Sequence, residues 1–295
     1  MKRLQAELAL DHKALLGEGS LWDDREGRLL WVDIPAGEIH AFNPVSGQDE
    51  LRYKANGPVG TVVQRQNGDL LAATGMGLLF VDEHTGESRL VCHPEQDKPN
   101  NRYNDGKCGP DGRFWVGSMA SGPILQGQGS LYRLDADLRC DTILEGVTIS
   151  NGIAWSPDGR TMYYTDTQTG EIWAYEYDLS TGEIANRRTV VKIAPGEGGP
   201  DGFTVDAEGM LWVAQWGGWQ VGRYDPETGE KIAQIDVPAA QVSSCAFGGE
   251  KLDTLFITTA SVGLSEANGA NQPLAGCLFH ADAGVSGMKA CRFSG

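Results

Sequence analysis

The sequence predicts an all-β chain folded as a six-bladed β-propeller with four-stranded antiparallel blades, one domain over residues 1–295, and three observations carry that expectation. The first is a repeat. Asn151-Gly152-Ile153-Ala154-Trp155-Ser156-Pro157-Asp158-Gly159-Arg160, followed by the β-rich run 161–165, lays out a polar residue, four apolar or small residues, a turn ending in glycine and then a strand. Turn glycines Gly27, Gly68, Gly112, Gly159, Gly209 and Gly249 repeat it at intervals of about 40 to 50 residues, the period of a propeller blade. The second is composition: 40 glycines with 8 each of Trp, Tyr and Phe suit many short strands joined by tight turns. The third is periodicity, since alternating strands recur along the chain and no heptad or long amphipathic helix interrupts them. Closed all-β architectures often reach 295 residues as one domain.

Taken in order, residues 4–16 precede the first repeat, and Glu7–Leu10 is expected to supply an outer strand to the last blade, pairing near residues 288–293. Such a closure removes two exposed sheet edges. Blade one runs through Leu29-Leu30-Trp31-Val32-Asp33 and Glu38-Ile39-His40-Ala41-Phe42 to the turn at Asn43-Pro44. Blade two holds runs at 69–73 and 77–81. The polar loop 92–101 that follows is long enough to be read as part of the channel mouth. Blade three carries Asn101-Arg102-Tyr103-Asn104-Asp105-Gly106 and Arg113-Phe114-Trp115-Val116-Gly117-Ser118-Met119. The glycine-rich insert 120–129 after it reads either as a lid or as a linker. Blades four and five repeat one pattern at 161–175 and 210–224, and blade six, from 255 to 279, contains a polar insert at 265–273.

A formal net charge of -16 argues against nucleic acid or an anionic membrane as partner, because both call for a basic surface. Gln5, Glu7 and Asp11 interrupt the N-terminus where a secretory segment would be apolar, and no run approaches the length of a membrane span, so a cytoplasmic protein is expected. Six scattered cysteines without a C-x-x-C pair read as small buried hydrophobes in a reducing compartment.

The repeat also locates chemistry. Eight or nine residues before each turn glycine stand Glu18, Gly60, Asn104, Asn151, Asp201 and, with a small gap, Ser243. These positions open the first strand of each blade, which a propeller places against its channel. Glu18, Asn151 and Asp201, far apart in sequence, would then meet as oxygen ligands of one divalent cation: Ca²⁺, Mg²⁺ or Mn²⁺, with Zn²⁺ or Fe²⁺ also accommodated. The alternative is that such residues simply cap strand entrances. Three protein ligands leave positions for water and substrate, an arrangement suited to ester hydrolysis, with Asp201 also placed to take a proton from the attacking water. Arg102 and Asn104, two apart on one strand, point the same way and suit the hydroxyls of a polyol, unless Arg102 is a solvated charge. Trp216, Trp219 and Tyr103 either line this mouth or pack within blades. There is no G-x-S-x-G elbow, and none of His12, His40, His84, His93 and His280 falls at a channel position, which argues against a serine relay and a His-rich zinc site.

Over nearly its whole length the sequence resembles the regucalcin (senescence marker protein) and gluconolactonase family of six-bladed propellers. The blocks are Leu16-Gly17-Glu18-Gly19, Asn101-Arg102-Tyr103-Asn104-Asp105-Gly106-Lys107, Gly117-Ser118-Met119, Ile149-Ser150-Asn151-Gly152, Pro200-Asp201-Gly202, Trp216-Gly217-Gly218 and Phe247-Gly248-Gly249. The resemblance implies Glu18, Asn151 and Asp201 as metal ligands, Asp201 as the base, and Arg102 and Asn104 as contacts to a sugar lactone. Animal regucalcins carry acidic residues after the Met-Ala pair, one of them a substrate contact. Here Met119-Ala120 is followed by Ser121-Gly122, which is closer in style to bacterial sugar lactonases. The expectation is a metal-dependent lactonase acting on a small sugar lactone; the alternative is a calcium-binding regulatory protein without turnover.

Overall fold

In the computed structural model, which describes residues 1–264 and 271–295, six sheets stand around a central axis. Each is a four-stranded antiparallel meander: residues 17–54, 59–92, 101–147, 150–192, 199–236 and 242–282, the last completed from the N-terminus. The innermost strands are Gly17–Asp23, Val59–Gln64, Asn101–Cys108, Ser150–Trp155, Gly199–Val205 and Val242–Gly248. Each touches the innermost strand of the next blade, and the sixth touches the first, so the ring is closed. All six turn glycines named from the sequence have φ between 64° and 106°, the left-handed region where a side chain is strained, which explains their recurrence. Part of the polar insert in blade six, residues 265–270, lies outside the described residues.

The core is a series of apolar seams between neighbouring blades. Trp31, Trp115 and Trp212, each on the second strand of its blade, are fully buried in them. Among the described residues the structure is almost pure strand, with a 3₁₀ turn at Thr167–Thr169. Among the described residues no helix is long and apolar enough to cross a membrane. Cys108, Cys245 and Cys277 are buried, Cys92, Cys140 and Cys291 half-buried, and all six are free thiols.

Ring closure departs from expectation. Glu7–Leu10 is indeed the outer strand of the last blade, but it pairs antiparallel with Leu278–Asp282, through Glu7 opposite His280 and Leu8 opposite Phe279. It does not pair with residues 288–293. Lys2–Gln5 adds a fifth strand, parallel to Lys231–Asp236, to blade five. The C-terminal residues instead cross the end of the channel remote from the strand entrances. Met288, Lys289, Ala290 and Cys291 line a small cavity there with Lys107. Burial of Phe293 against Phe80, with its backbone paired beside Arg65, draws the tail to blade two.

Candidate metal and substrate site

Every innermost strand breaks register with its neighbour at the position the repeat singled out. The breaks fall at Glu18/Leu21, Val59/Thr61, Tyr103/Gly106, Asn151/Ile153, Pro200/Phe203 and Val242/Ser244. A bulge re-aims side chains that strict alternation would send elsewhere. Glu18, Arg102, Asn104, Asn151 and Asp201 consequently line one cavity of about 510 Å³ at the channel mouth. Blade two contributes Gly60 instead of a ligand for a steric reason: a Cβ there would stand 2.5 Å from the Tyr103 carbonyl oxygen and 2.7 Å from that of Asn104. Ser243 is turned away, donating to the Gly17 carbonyl and bonding the Thr258 hydroxyl.

A directed chain of hydrogen bonds orients the amides. Arg102 Nη1 donates to Asn104 Oδ1 at 2.6 Å, and Asn104 Nδ2 donates to Asn151 Oδ1 at 3.0 Å and to the Ser150 carbonyl at 2.8 Å. Asn151 Nδ2 then donates to Thr167 Oγ1 at 2.9 Å, whose own proton goes to the Pro200 carbonyl at 2.8 Å. Thr167 therefore ties blade four to blade five and holds Asn151 Oδ1 toward Asn104. Sequence reading missed it, since it sits in the 3₁₀ turn and in no repeat position. Thr167→Val is expected to weaken divalent-cation binding roughly 10- to 100-fold, the range for losing an outer partner of a metal ligand, with little change in Tm. Calorimetric titration beside thermal melts checks this; unchanged affinity would leave Thr167 a structural link only.

The electrostatics are those of a concentrated negative charge. Glu18 and Asp201 are each only 4% exposed, and Asp105, one residue beyond Asn104 in the same bulge, is buried beside them. Burial pushes the Glu18 carboxyl well above its usual range, and Asp201 and Asp105 push the same way. Burial, then Asp105, raises Asp201 likewise, and burial raises Asp105. Gly19 and Gly106 backbone N–H groups donate to Glu18 at 3.1 Å and Asp105 at 2.8 Å. Asp201 Oδ1 has no hydrogen-bond partner although it is buried. A carboxylate oxygen with no donor, among two further buried carboxylates, suits a cation, because buried charge is tolerated when paired or coordinating. Burial lowers the Arg102 guanidinium from its usual value, against the pull of Glu18 and Asp201, and Arg102 is a half-buried side chain lining the cavity, not a fully solvated charge.

Above this polar floor the walls are largely apolar: Leu16, Ile34, Met119, Ile149 and Trp216. Of the aromatics considered for the mouth, Trp216 lines it, Tyr103 is packed in the blade-two and blade-three core, and Trp219 is 44% exposed. The insert 120–129 contributes Ser121 and Ile124 to the cavity, whereas the loop 92–101 contributes nothing. That loop folds inward through buried Glu95, which accepts from the Tyr132 hydroxyl at 2.6 Å and from Asn101 Nδ2 at 2.9 Å. Its length serves to anchor blade three.

Comparison with known proteins identifies what the whole chain is similar to. Residues 16–261 match the family described as SMP-30/Gluconolactonase/LRE-like region. The chain is 38% identical over 293 residues to the putative sugar lactone lactonase YvrE of Bacillus subtilis (strain 168), covering 99% of both. It is 35% identical over 300 residues to regucalcin of Xenopus laevis, covering 100% of both. Among solved structures, a calcium-binding protein, regucalcin, from Agrobacterium tumefaciens matches with a TM-score of 0.94 at 29% identity, over 99% of this chain and 98% of that one.

Proposed function

We propose, from the premise that this chain belongs to the SMP-30/gluconolactonase/LRE-like family, that it opens a small sugar lactone to the aldonic acid with the help of one divalent cation. The observation that carries the reading is Asp201: a buried carboxylate with one oxygen free of any protein donor, in the same cavity as Glu18, Asn151, Arg102 and Asn104. Glu18, Asn151 and Asp201 would hold the cation, an all-oxygen set that suits Ca²⁺, Mg²⁺ or Mn²⁺ and admits Zn²⁺ or Fe²⁺. When bound, the cation would supply Lewis-acid polarisation of the lactone carbonyl and stabilise the charge developing there.

The chain's own residues do the rest. Arg102, held by its hydrogen bond to Asn104, presents its remaining N–H groups to the sugar oxygens, and Asn104, whose two N–H groups are taken by Asn151 and the Ser150 carbonyl, accepts from a sugar hydroxyl through Oδ1, so that the pair fixes the ring over the floor. Asp201 takes a proton from water as its oxygen bonds to the carbonyl carbon. When the C–O bond to the ring oxygen breaks, the same carboxyl returns the proton to that oxygen, so lactone and water become hydroxy acid with no other reagent. Burial raises the cation-free Asp201 carboxyl, and the charge of a bound cation would counter that rise and keep the carboxylate ionised to accept the proton.

The test is a panel of aldono-1,4- and 1,5-lactones followed by proton release, with chelator and with each cation restored. Turnover that vanishes on chelation and returns with a divalent cation is expected. Cation binding without opening of any lactone would favour the alternative of a calcium-binding protein without turnover.

A further inference from the structure

A second cluster of ligand-type side chains lies outside the channel, on blade one. His12, from the connector between the N-terminal strands and the first blade, meets His40 on Glu38–Asn43 and Asp49 on Gln48–Lys54, with one donor atom from each within 4.8 Å of the others. His40 Nδ1 lies 2.7 Å from Asp49 Oδ2, and His12 Nδ1 lies 3.6 Å from that same oxygen. From these contacts we infer a transition-metal site, of Zn²⁺ or Ni²⁺ type, formed by His12, His40 and Asp49 and distinct from the channel cation.

The surroundings are those of a prepared site. Metal-bound imidazoles usually donate their other N–H to a carboxylate or carbonyl, which sets the tautomer. Here His40 Nε2 lies 3.3 Å from Glu38 Oε2, leaving Nδ1 for the cluster. The Trp31 indole N–H donates to Asp49 Oδ1 at 2.9 Å, which leaves Oδ2 for an ion. Trp31 also stacks on His40 at 4.5 Å with an interplanar angle of 21°, and His12 stands edge-on to both rings. Donors each about 2.1 Å from a tetrahedral centre lie about 3.4 Å apart, so the widest separation in the cluster contracts by at most about 1.4 Å on binding while the His40–Asp49 contact opens. His12, with its side chain 26% exposed, can supply the movement and the entry path, and water the fourth position. Two imidazoles with one carboxylate select a softer metal than the all-oxygen channel set. Placement suggests the purpose: His12 follows directly on the two strands that extend blade five and complete blade six, so an ion here fastens those strands to blade one.

The experiment uses the full chain carrying Glu18→Gln and Asp201→Asn, which silences the channel carboxylates and separates this inference from the lactonase reading. Titrated with ZnCl₂ by calorimetry, it is expected to bind one Zn²⁺ per chain and to melt at a higher temperature when loaded. Adding His12→Ala should weaken that binding at least 100-fold, beyond the roughly 10- to 100-fold typical of losing an outer partner, and abolish the rise in Tm. Because His12 lies in a half-exposed connector, the metal-free melt should stay that of its parent. Absence of Zn²⁺ binding in the channel-silenced protein, or binding undiminished by His12→Ala, overturns the site.

Discussion

Asp201→Asn is expected to lower kcat for lactone opening by about 10³-fold, within the range for removing a general base, while making the metal-free protein more stable. The two effects share one cause. Asp201 is buried with an oxygen that no protein group satisfies, and Glu18 and Asp105 crowd it with like charge. An amide keeps the shape and discards the charge, so the proton acceptor is lost together with the repulsion. The pH dependence follows from the same shifts. Glu18 and Asp201 have folded pKa values raised above 4.5 and 3.8, so the folded chain retains protons that the unfolded chain has released. Their contribution to stability is complete below the ordinary carboxylate range and is lost as pH rises toward the raised values. Tm of the chelated protein should therefore fall as pH rises above the ordinary carboxylate range, saturating cation should remove the fall, and Asp201→Asn should flatten it. Substantial turnover in Asp201→Asn, or a chelated Tm that rises with pH there, rejects the assignment.

How far the site was legible depends on what each residue needed. Glu18, Asn151 and Asp201 were found because closure around an axis turns equal spacing along the chain into a common place in space. Arg102 and Asn104 followed from strand alternation. Asp105 did not, because alternation sends neighbours to opposite faces; it sits within the register break between Tyr103 and Gly106, outside the cavity lining, and its charge still reaches Glu18 and Asp201. Thr167 and the His12, His40, Asp49 cluster are joined by tertiary folding alone, and no local spacing marks them. The same holds for the C-terminal tail, whose path is set by one buried phenylalanine and by isolated backbone bridges to Arg65 and Asp206, not by a continuous strand. Fold type needed only periodicity; the supporting partners needed coordinates.

The bulges predict the largest structural effect. At Gly152 an added Cβ would lie 2.0 Å from Phe203 Cδ1 and 2.7 Å from the Asp201 carbonyl oxygen. Phe203 is fully buried, so its ring has nowhere to retreat, and the strain passes to the innermost strands of blades four and five. Gly152→Ala is expected to cost about 3 kcal/mol, at the upper end for overpacking. That corresponds to a fall in Tm of at most roughly 6–12 °C, the range for somewhat shorter chains. These two strands carry Asn151 and Asp201, joined through Thr167 and the Pro200 carbonyl, so cation affinity should drop as well. Leu255→Ala, in the buried core of blade six, is the control, since it should cost a comparable 2–5 kcal/mol without disturbing either ligand. Should both variants lose stability while binding the cation equally well, Gly152 would serve packing alone. A larger loss of affinity in Gly152→Ala than in Leu255→Ala ties the absence of a side chain at the bulge to the spacing of the two oxygen donors beside it.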